Sequence, residues 1–462
     1  MKLRYKVAAV LSIATLVAGT AVANSVLTKP EYIIASTDAA TIKPLAYAGD
    51  TFGGFTVQGI PDGMGSYRNA DGTITLLSVH EVPSYGAIGT LAKAADKGKP
   101  IQGTSITKFT LNKAGDRVLK ASDLVTSWSF YNYNTGQYQE SPVGAAPKTQ
   151  TVGMDSFISR FCSATLVQAG ALSYKDGSTT LGYDGAVYLA GEEDGDSGYA
   201  RAFAFDMDGN AINLARMGLA SWENLMPNLK PGKNTVVMGN EDGSATDSQL
   251  FMYVGTKTTE GTFADKAGLT NGDVHVMTIA DVANDNAFRA KYGKNKAVDV
   301  TFTKTIWDAD MKTQQVDHAA KGTEMSRVED GEWDPSNPNV FYFVTTESNK
   351  DPGATKPNPA TPSVSRDGGG LWRLTFVDGQ KPELGAKLEL LLDGSEEPYL
   401  SKPDNLAVTS DGIVMIQEDP GKNDLVARIV AFRVKDAKLA TIAQFNPDHF
   451  TTGGSKFMTT DE

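Results

Sequence analysis

Four times this chain runs through a turn, a short apolar stretch and an acidic cluster, and that recurrence limits its fold more than any single motif does. Asn69-Ala-Asp71-Gly72-Thr leads into Ile74–Val79 and then His80-Glu81. Tyr183-Asp184-Gly185 leads into Ala186–Ala190 and then Glu192-Glu193. Asn234 leads into Thr235–Met238 and then Glu241-Asp242, and Asp411-Gly412 into Ile413–Ile416 and then Glu418-Asp419. Asp-Gly steps suit tight hairpin turns, and short β-branched or aromatic runs between turns suit strands. A hairpin unit that keeps its acids at one strand end fits a radial array of small antiparallel sheets, with each innermost strand sending its end toward one axis. The expected fold is therefore all-β: a β-propeller of about six blades with long inserted loops.

The 46 glycines and 20 prolines among 462 residues supply turns in number, and stretches of helical period are scarce. Asp281–Tyr292, with Ala283, Ala287 and Ala290 at helical spacing, is the predicted helix. Ala94–Gly103 and Asp351–Asp367 read as surface insertions. Lys2, Arg4 and Lys6 precede an apolar run from Val7 to Ala18, and Ala21-Val22-Ala23 offers a cleavage site. Residues 1–23 are thus expected to be a secretory signal peptide and 24–462 a single domain, secreted or periplasmic, with no later membrane span. The net charge of −12 argues against a nucleic-acid partner and suits a chain that gathers cations.

Hard cations such as calcium take oxygen ligands, so the recurring acids form a candidate pool: Glu81, Glu192, Glu193, Glu241, Asp242, Glu329, Glu418 and Asp419. Any one pair, taken alone, is more often a solvated turn than a ligand, and only the recurrence favours ligation. Asp206-Met-Asp208-Gly-Asn210 opens like an EF-hand loop but has no glutamate at the twelfth position, and reads as a hairpin turn. In Met325–Pro335, Arg327 stands beside Glu329, Asp330, Glu332 and Asp334, ahead of a predicted strand at Asn339–Thr346. Acids so crowded need water, cations or basic partners. Arg327 suits a salt bridge to Glu329 or Glu332, or a phosphate; Arg160, two residues before Cys162, invites the same two readings. Cys162 is the sole cysteine, which excludes an intrachain disulfide and leaves a small buried hydrophobe or a thiolate ligand. His80 is the one well-placed histidine, structural or ligating, and no two histidines have zinc-like spacing. A Gly-x-Ser-x-Gly elbow, a Walker loop and a His-Glu-x-x-His motif are all missing from the sequence.

Several stretches together resemble the PhoX alkaline phosphatase family: Arg327-Val-Glu329 with Trp333-Asp334-Pro335 and an aromatic strand, Pro403-Asp404-Asn405-Leu406 ahead of Asp411-Gly412, and Cys162 upstream of Gly191-Glu192-Glu193. The wording Gly59-Ile-Pro-Asp-Gly-Met-Gly, Arg160-Phe-Cys-Ser-Ala and Ser221-Trp-Glu-Asn looks like a distinct secreted branch; the leader lacks an Arg-Arg pair. The resemblance implies a propeller holding calcium and iron at one axial end, with Cys162 on iron, Glu192, Glu241 and Glu329 on metal, and Arg327 on phosphate. Asp404 is a further carried-over position, and Glu81, Glu193, Asp242, Glu418, His80 and Arg160 are additional candidates. The expected function is hydrolysis of small phosphate monoesters by a monomer. The alternative is a non-catalytic calcium-binding propeller serving adhesion, matrix or carbohydrate contacts. Cys162 and Arg327 decide between them, because only the phosphatase needs both beside the axial acids.

Overall fold

Five sheets, antiparallel except where Asn210–Asn213 pairs with Ser127–Asn132, stand around one axis, each led by an axial strand. In the first blade Pro61–Arg68 is followed outward by Ile74–His80, Ile106–Leu111 and Val118–Asp123. The second runs Phe161–Val167, Val187–Glu192, Ala202–Asp206 and Asn210–Asn213, extended by Ser127–Asn132 and Gln137–Gln139. The third runs Trp222–Pro227, Asn234–Glu241, Leu250–Thr256 and Asp273–Thr278; the fourth runs Val328–Trp333, Val340–Thr345, Gly370–Phe376 and Ala386–Asp393. Val298–Lys304 joins those two at their outer edges. The fifth runs Pro403–Val408, Ile413–Glu418, Arg428–Arg433 and Lys438–Phe445, with Ile33–Ala35 added outside. This computed structural model describes residues 30–82, 101–102, 104–142, 144, 157–193, 200–243, 247–347, 368–419, 426–451 and 453–456. The expected signal peptide and most of the two expected insertions lie outside the described residues. The described residues form five blades, against the expected six or so.

The turns form where Asp-Gly predicts them. Gly72 and Gly412 have φ of 88° and 80°, and Asp71 Oδ1 accepts the Thr73 amide at 2.9 Å. Asp206-Met-Asp208-Gly-Asn210 is likewise a hairpin turn, with Asp206 Oδ1 accepting the amides of Asp208 and Asn210. The recurring apolar runs, however, are second strands; the axial strand precedes each of them, and in the first, fourth and fifth blades it is the more polar of the two. A second strand is covered on both faces by its neighbours, so both sets of alternate residues must be apolar. Val187 and Leu189 enter the core facing the third blade, while Tyr188 and Ala190 enter the one facing the first. Phe341 and Phe343 similarly face the third blade, whereas Val340, Tyr342 and Val344 face the fifth. Each fully buried large side chain contributes about 1.5–3 kcal/mol, so these strands stabilise the ring from both faces.

The predicted helix spans Asp285–Tyr292 and starts inside the expected segment, because Asn284 caps it by accepting the Ala287 amide. A longer helix, Met311–Lys321, was not expected; Asp310 caps it, and Met311, Gln314 and His318 turn inward at helical spacing.

Candidate metal centre and active site

Every blade opens on the same local construction. The residue before the axial strand (Ile60, Arg160, Ser221, Arg327 or Lys402) offers its carbonyl to an amide just past the second strand. The donors are Glu81, Glu193, Asp242, Thr346 and Asp419, at 2.8 to 3.0 Å. Ile60, Arg160, Arg327 and Lys402 are left-handed, with φ of 49°, 38°, 58° and 48°. A bulge then follows the first residue of each axial strand, disturbing the ladder where the second residue stands. Those second residues are Asp62, Cys162, Glu223, Glu329 and Asp404.

Three groups of potential ligand atoms result: Asp62, Glu81 and Cys162; Cys162, Glu193 and Glu223; and Glu223, Glu329 and Asp404. Within each, the atoms lie within 4.8 Å of one another. Cys162 and Glu223 are shared members, so the three form one continuous array. Asp62, Glu81 and Asp404 keep some exposed surface, whereas the other four are buried. Burial, and then Glu81, pushes the Asp62 carboxyl up to about 7. Burial also raises Glu193, Glu223, Glu329 and Asp404 far above the usual carboxylate range, with Asp242, Glu329, Asp242 and Asp62 respectively the largest repelling neighbours. The Cys162 thiol is raised by burial and then by Glu223. Neither carboxylate oxygen of Glu223 has a hydrogen-bond partner among the described residues. Acids that repel one another in a dry site, with an orphaned carboxylate at the centre, fit bound cations, whose charge reverses each of these penalties.

Two arginines border the array. Arg160 pairs with Glu81 and reaches Glu193 at 3.1 Å. Arg327 donates Nε to Asp242 Oδ1 at 2.8 Å and Nη2 to Oδ2 at 2.5 Å, and stands 3.4 Å from Glu329. Beneath them, Asn224 Nδ2 donates to Asp330 Oδ1 at 2.6 Å, and Asp330 Oδ2 accepts the Leu406 amide at 3.0 Å, lacing the third, fourth and fifth axial strands together.

The family described as alkaline phosphatase PhoX matches residues 204–458, more than half of the chain. The chain belongs to the PhoX family. Among solved structures it is similar to Pseudomonas fluorescens PhoX in complex with vanadate, a transition-state analogue, at 11% identity over 84% of this chain and 80% of that one, with a TM-score of 0.54. That likeness bears on the fold. A candidate glycoside hydrolase from Bacteroides ovatus (11% identity, 84% and 88% covered) and the α-L-arabinofuranosidase Arb93A from Fusarium graminearum (10% identity, 84% and 92% covered) both have a TM-score of 0.30. No curated protein matches the chain in sequence. The PhoX family is one of metal-dependent phosphatases, and the acidic groups here can hold metal.

Against that PhoX background the expected ligands divide. Cys162 and Glu329 lie in the array, with Glu81, Glu193 and Asp404 from the additional candidates. Glu192 is directed elsewhere: it accepts the amides of Ser159 and Arg201 and a fork from the fully buried Arg201 guanidinium. Glu418 does the same with Ser401 and Arg428, and Glu241 accepts the Gln249 amide. All three pair in register with the first residue of an axial strand, and alternation then turns the next residue, Glu193, Asp419 or Asp242, the other way. His80 holds the equivalent position; its ring bonds Gly59 O and Thr107 Oγ1, and burial lowers its pKa. Asp242 holds Arg327 and belongs to none of the three groups. Asp62 and Glu223 were missed as site residues. The signal was available as an acid two residues after Ile60, Ser221, Arg327 and Lys402, with cysteine after Arg160.

Proposed function

We propose that this chain hydrolyses phosphate monoesters at a cation cluster held by Asp62, Glu81, Cys162, Glu193, Glu223, Glu329 and Asp404, with Arg327 binding the phosphoryl group. The carboxylates suit calcium, and the Cys162 thiolate suits the iron that the family resemblance implies. The observation that carries this reading is the joint position of Cys162 and Arg327. Cys162 is shared by two of the acidic groups, and Arg327 stands 3.4 Å from Glu329. A binding-only propeller needs neither.

The chemistry such cations supply when bound is polarisation of phosphoryl oxygens and a lower barrier to attack by water. The protein's part is positioning. Asp242 grips the Nε–Nη2 edge of the Arg327 guanidinium, and the remaining nitrogen, Nη1, can meet phosphoryl oxygens as charge grows on them. Arg160, held by Glu81 and Glu193, keeps a second positive charge beside the array and limits repulsion among the acids. Buried walls keep the local dielectric low, which strengthens both effects. The leader supports export to the periplasm or medium.

The test is turnover of p-nitrophenyl phosphate by purified protein, with metal analysis and a chelator arm. Activity lost on chelation, and lost in Arg327→Ala with metal content kept, is the expected result. Stoichiometric calcium without turnover would instead favour the non-catalytic propeller.

A further inference from the structure

Arg160, Arg327 and Lys402 occupy one position in the repeat, two residues ahead of an array ligand, and all three are left-handed. Such backbone costs a non-glycine residue about 1 kcal/mol or more and tends to persist at functional sites. Arg160 is matched by two array acids, but Arg327 and Lys402 share something different. Arg327 Nη1 lies 3.6 Å from Glu347 Oε1, and Lys402 Nζ lies 3.6 Å from the same oxygen. Both separations exceed hydrogen-bond length, so one carboxylate oxygen stands between two cations of neighbouring blades without closing on either. Arg327 and Lys402 lead directly to Glu329 and Asp404, which with Glu223 make up the third ligand group. In this blade Thr346 follows the second strand where the first, second, third and fifth blades carry an acid, so Glu347 is displaced one residue along.

We propose that Arg327 Nη1 and Lys402 Nζ are the two prongs of a phosphate subsite over the Glu223, Glu329 and Asp404 group, with Glu347 as an internal competitor that the phosphoryl group displaces. This rests on the phosphatase reading. A tetrahedral dianion offers each prong its own oxygen, whereas the Glu347 carboxylate presents one oxygen to both. The anion therefore binds better than the side chain it replaces, and product phosphate is released with help from the returning carboxylate.

Steady-state hydrolysis of p-nitrophenyl phosphate, with inhibition by inorganic phosphate, tests this in Glu347→Gln, Lys402→Met, Lys402→Arg and the Glu347→Gln/Lys402→Met double variant. Glu347→Gln should lower KM and the phosphate inhibition constant about tenfold, the worth of one charge-assisted contact. Lys402→Met should raise both by a similar factor with a smaller change in kcat, Lys402→Arg should restore most of the loss, and the double variant should lose the Glu347→Gln gain. Unchanged KM and inhibition constants in both single variants, whatever their melting temperatures, would overturn the proposal. Should the wild-type protein turn over no phosphomonoester, the phosphatase reading fails separately. The subsite is then judged by calorimetric titration of inorganic phosphate into calcium-loaded protein: tighter binding in Glu347→Gln with weaker binding in Lys402→Met upholds it, and absent or unaltered binding refutes it.

Discussion

Adjacent glutamates in the second blade have opposite roles. Glu192 is fully buried and neutralises the fully buried Arg201, so Glu192→Ala leaves an uncompensated charge and should cost about 3–5 kcal/mol, read as a lower urea midpoint. Glu193→Gln removes one of several mutually repelling acids; it should leave the metal-free protein as stable or more so, while lowering its bound-metal stoichiometry. Equal behaviour of the two variants would contradict the alternation that separates them. His318, buried on the inner face of its helix and edge-on to Phe251, gives a pH signature away from the array. Burial lowers its pKa from 6.5 to about 4, against the opposing pull of Asp317. Because the folded value is the lower one, the unfolded chain takes up the proton first. The associated stability is present above pH 6.5, declines below it, and is fully lost under about pH 4, a span worth about 3 kcal/mol. Metal-free wild type and His318→Gln should therefore diverge in urea midpoint across pH 7 to 4, with the wild type losing more.

The decisive element is the axial strand, short, bulged and closely packed on its neighbours. A Cβ on Gly63 would lie 2.1 Å from the Ala164 amide nitrogen, backbone that cannot rotate away. Gly63→Ala should force the first and second axial strands apart, costing about 1–3 kcal/mol and weakening metal binding at the Asp62, Glu81 and Cys162 group before the Glu223, Glu329 and Asp404 group. Metal titration of the variant, compared with Glu192→Ala as a destabilised control, separates the local effect from general loss of stability. Second strands were legible in the sequence because burial on two faces makes them continuous apolar runs, as in Val187–Ala190. Axial strands such as Phe161–Val167 were harder to see, since a bulge interrupts their alternation after the first residue. Asp62 and Glu223 are hard to single out in the sequence for that reason, although they stand in the distinctive stretches Gly59-Ile-Pro-Asp-Gly-Met-Gly and Ser221-Trp-Glu-Asn.

At the scale of the molecule, the ring brings together acids that no local segment would hold. Cations bound to the folded array and not to the unfolded chain should stabilise it by about 2.7 kcal/mol when free metal is a hundredfold above Kd. Chelation should accordingly lower the melting temperature, and Glu223→Gln should reduce that chelation-dependent shift, since Glu223 joins two of the three groups. An equal shift in wild type and Glu223→Gln would argue against a shared central ligand. The sequence by itself determined the strand-and-turn alphabet, the hairpin register at Asp71-Gly72 and Asp411-Gly412, and the recurrence of acids at one end of the second strands, because these depend on neighbouring residues and on period. Only the tertiary structure decided which acid of each pair faces the axis. Register with the axial strand commits Glu192, Glu241 and Glu418 to holding the strand starts, and thereby turns Glu193, Asp242 and Asp419 the other way. It also turned Met325–Pro335 from a crowded charge cluster into four separate duties. Glu329 joins the groups that can hold metal, Arg327 is gripped by Asp242 from another blade, Asp330 and Glu332 accept amides of the fifth axial strand, and Asp334 closes a turn. The Asp334 turn is local, but the partners of Arg327, Asp330 and Glu332 lie tens of residues away in sequence, and only the closing of the ring brings them within hydrogen-bond reach.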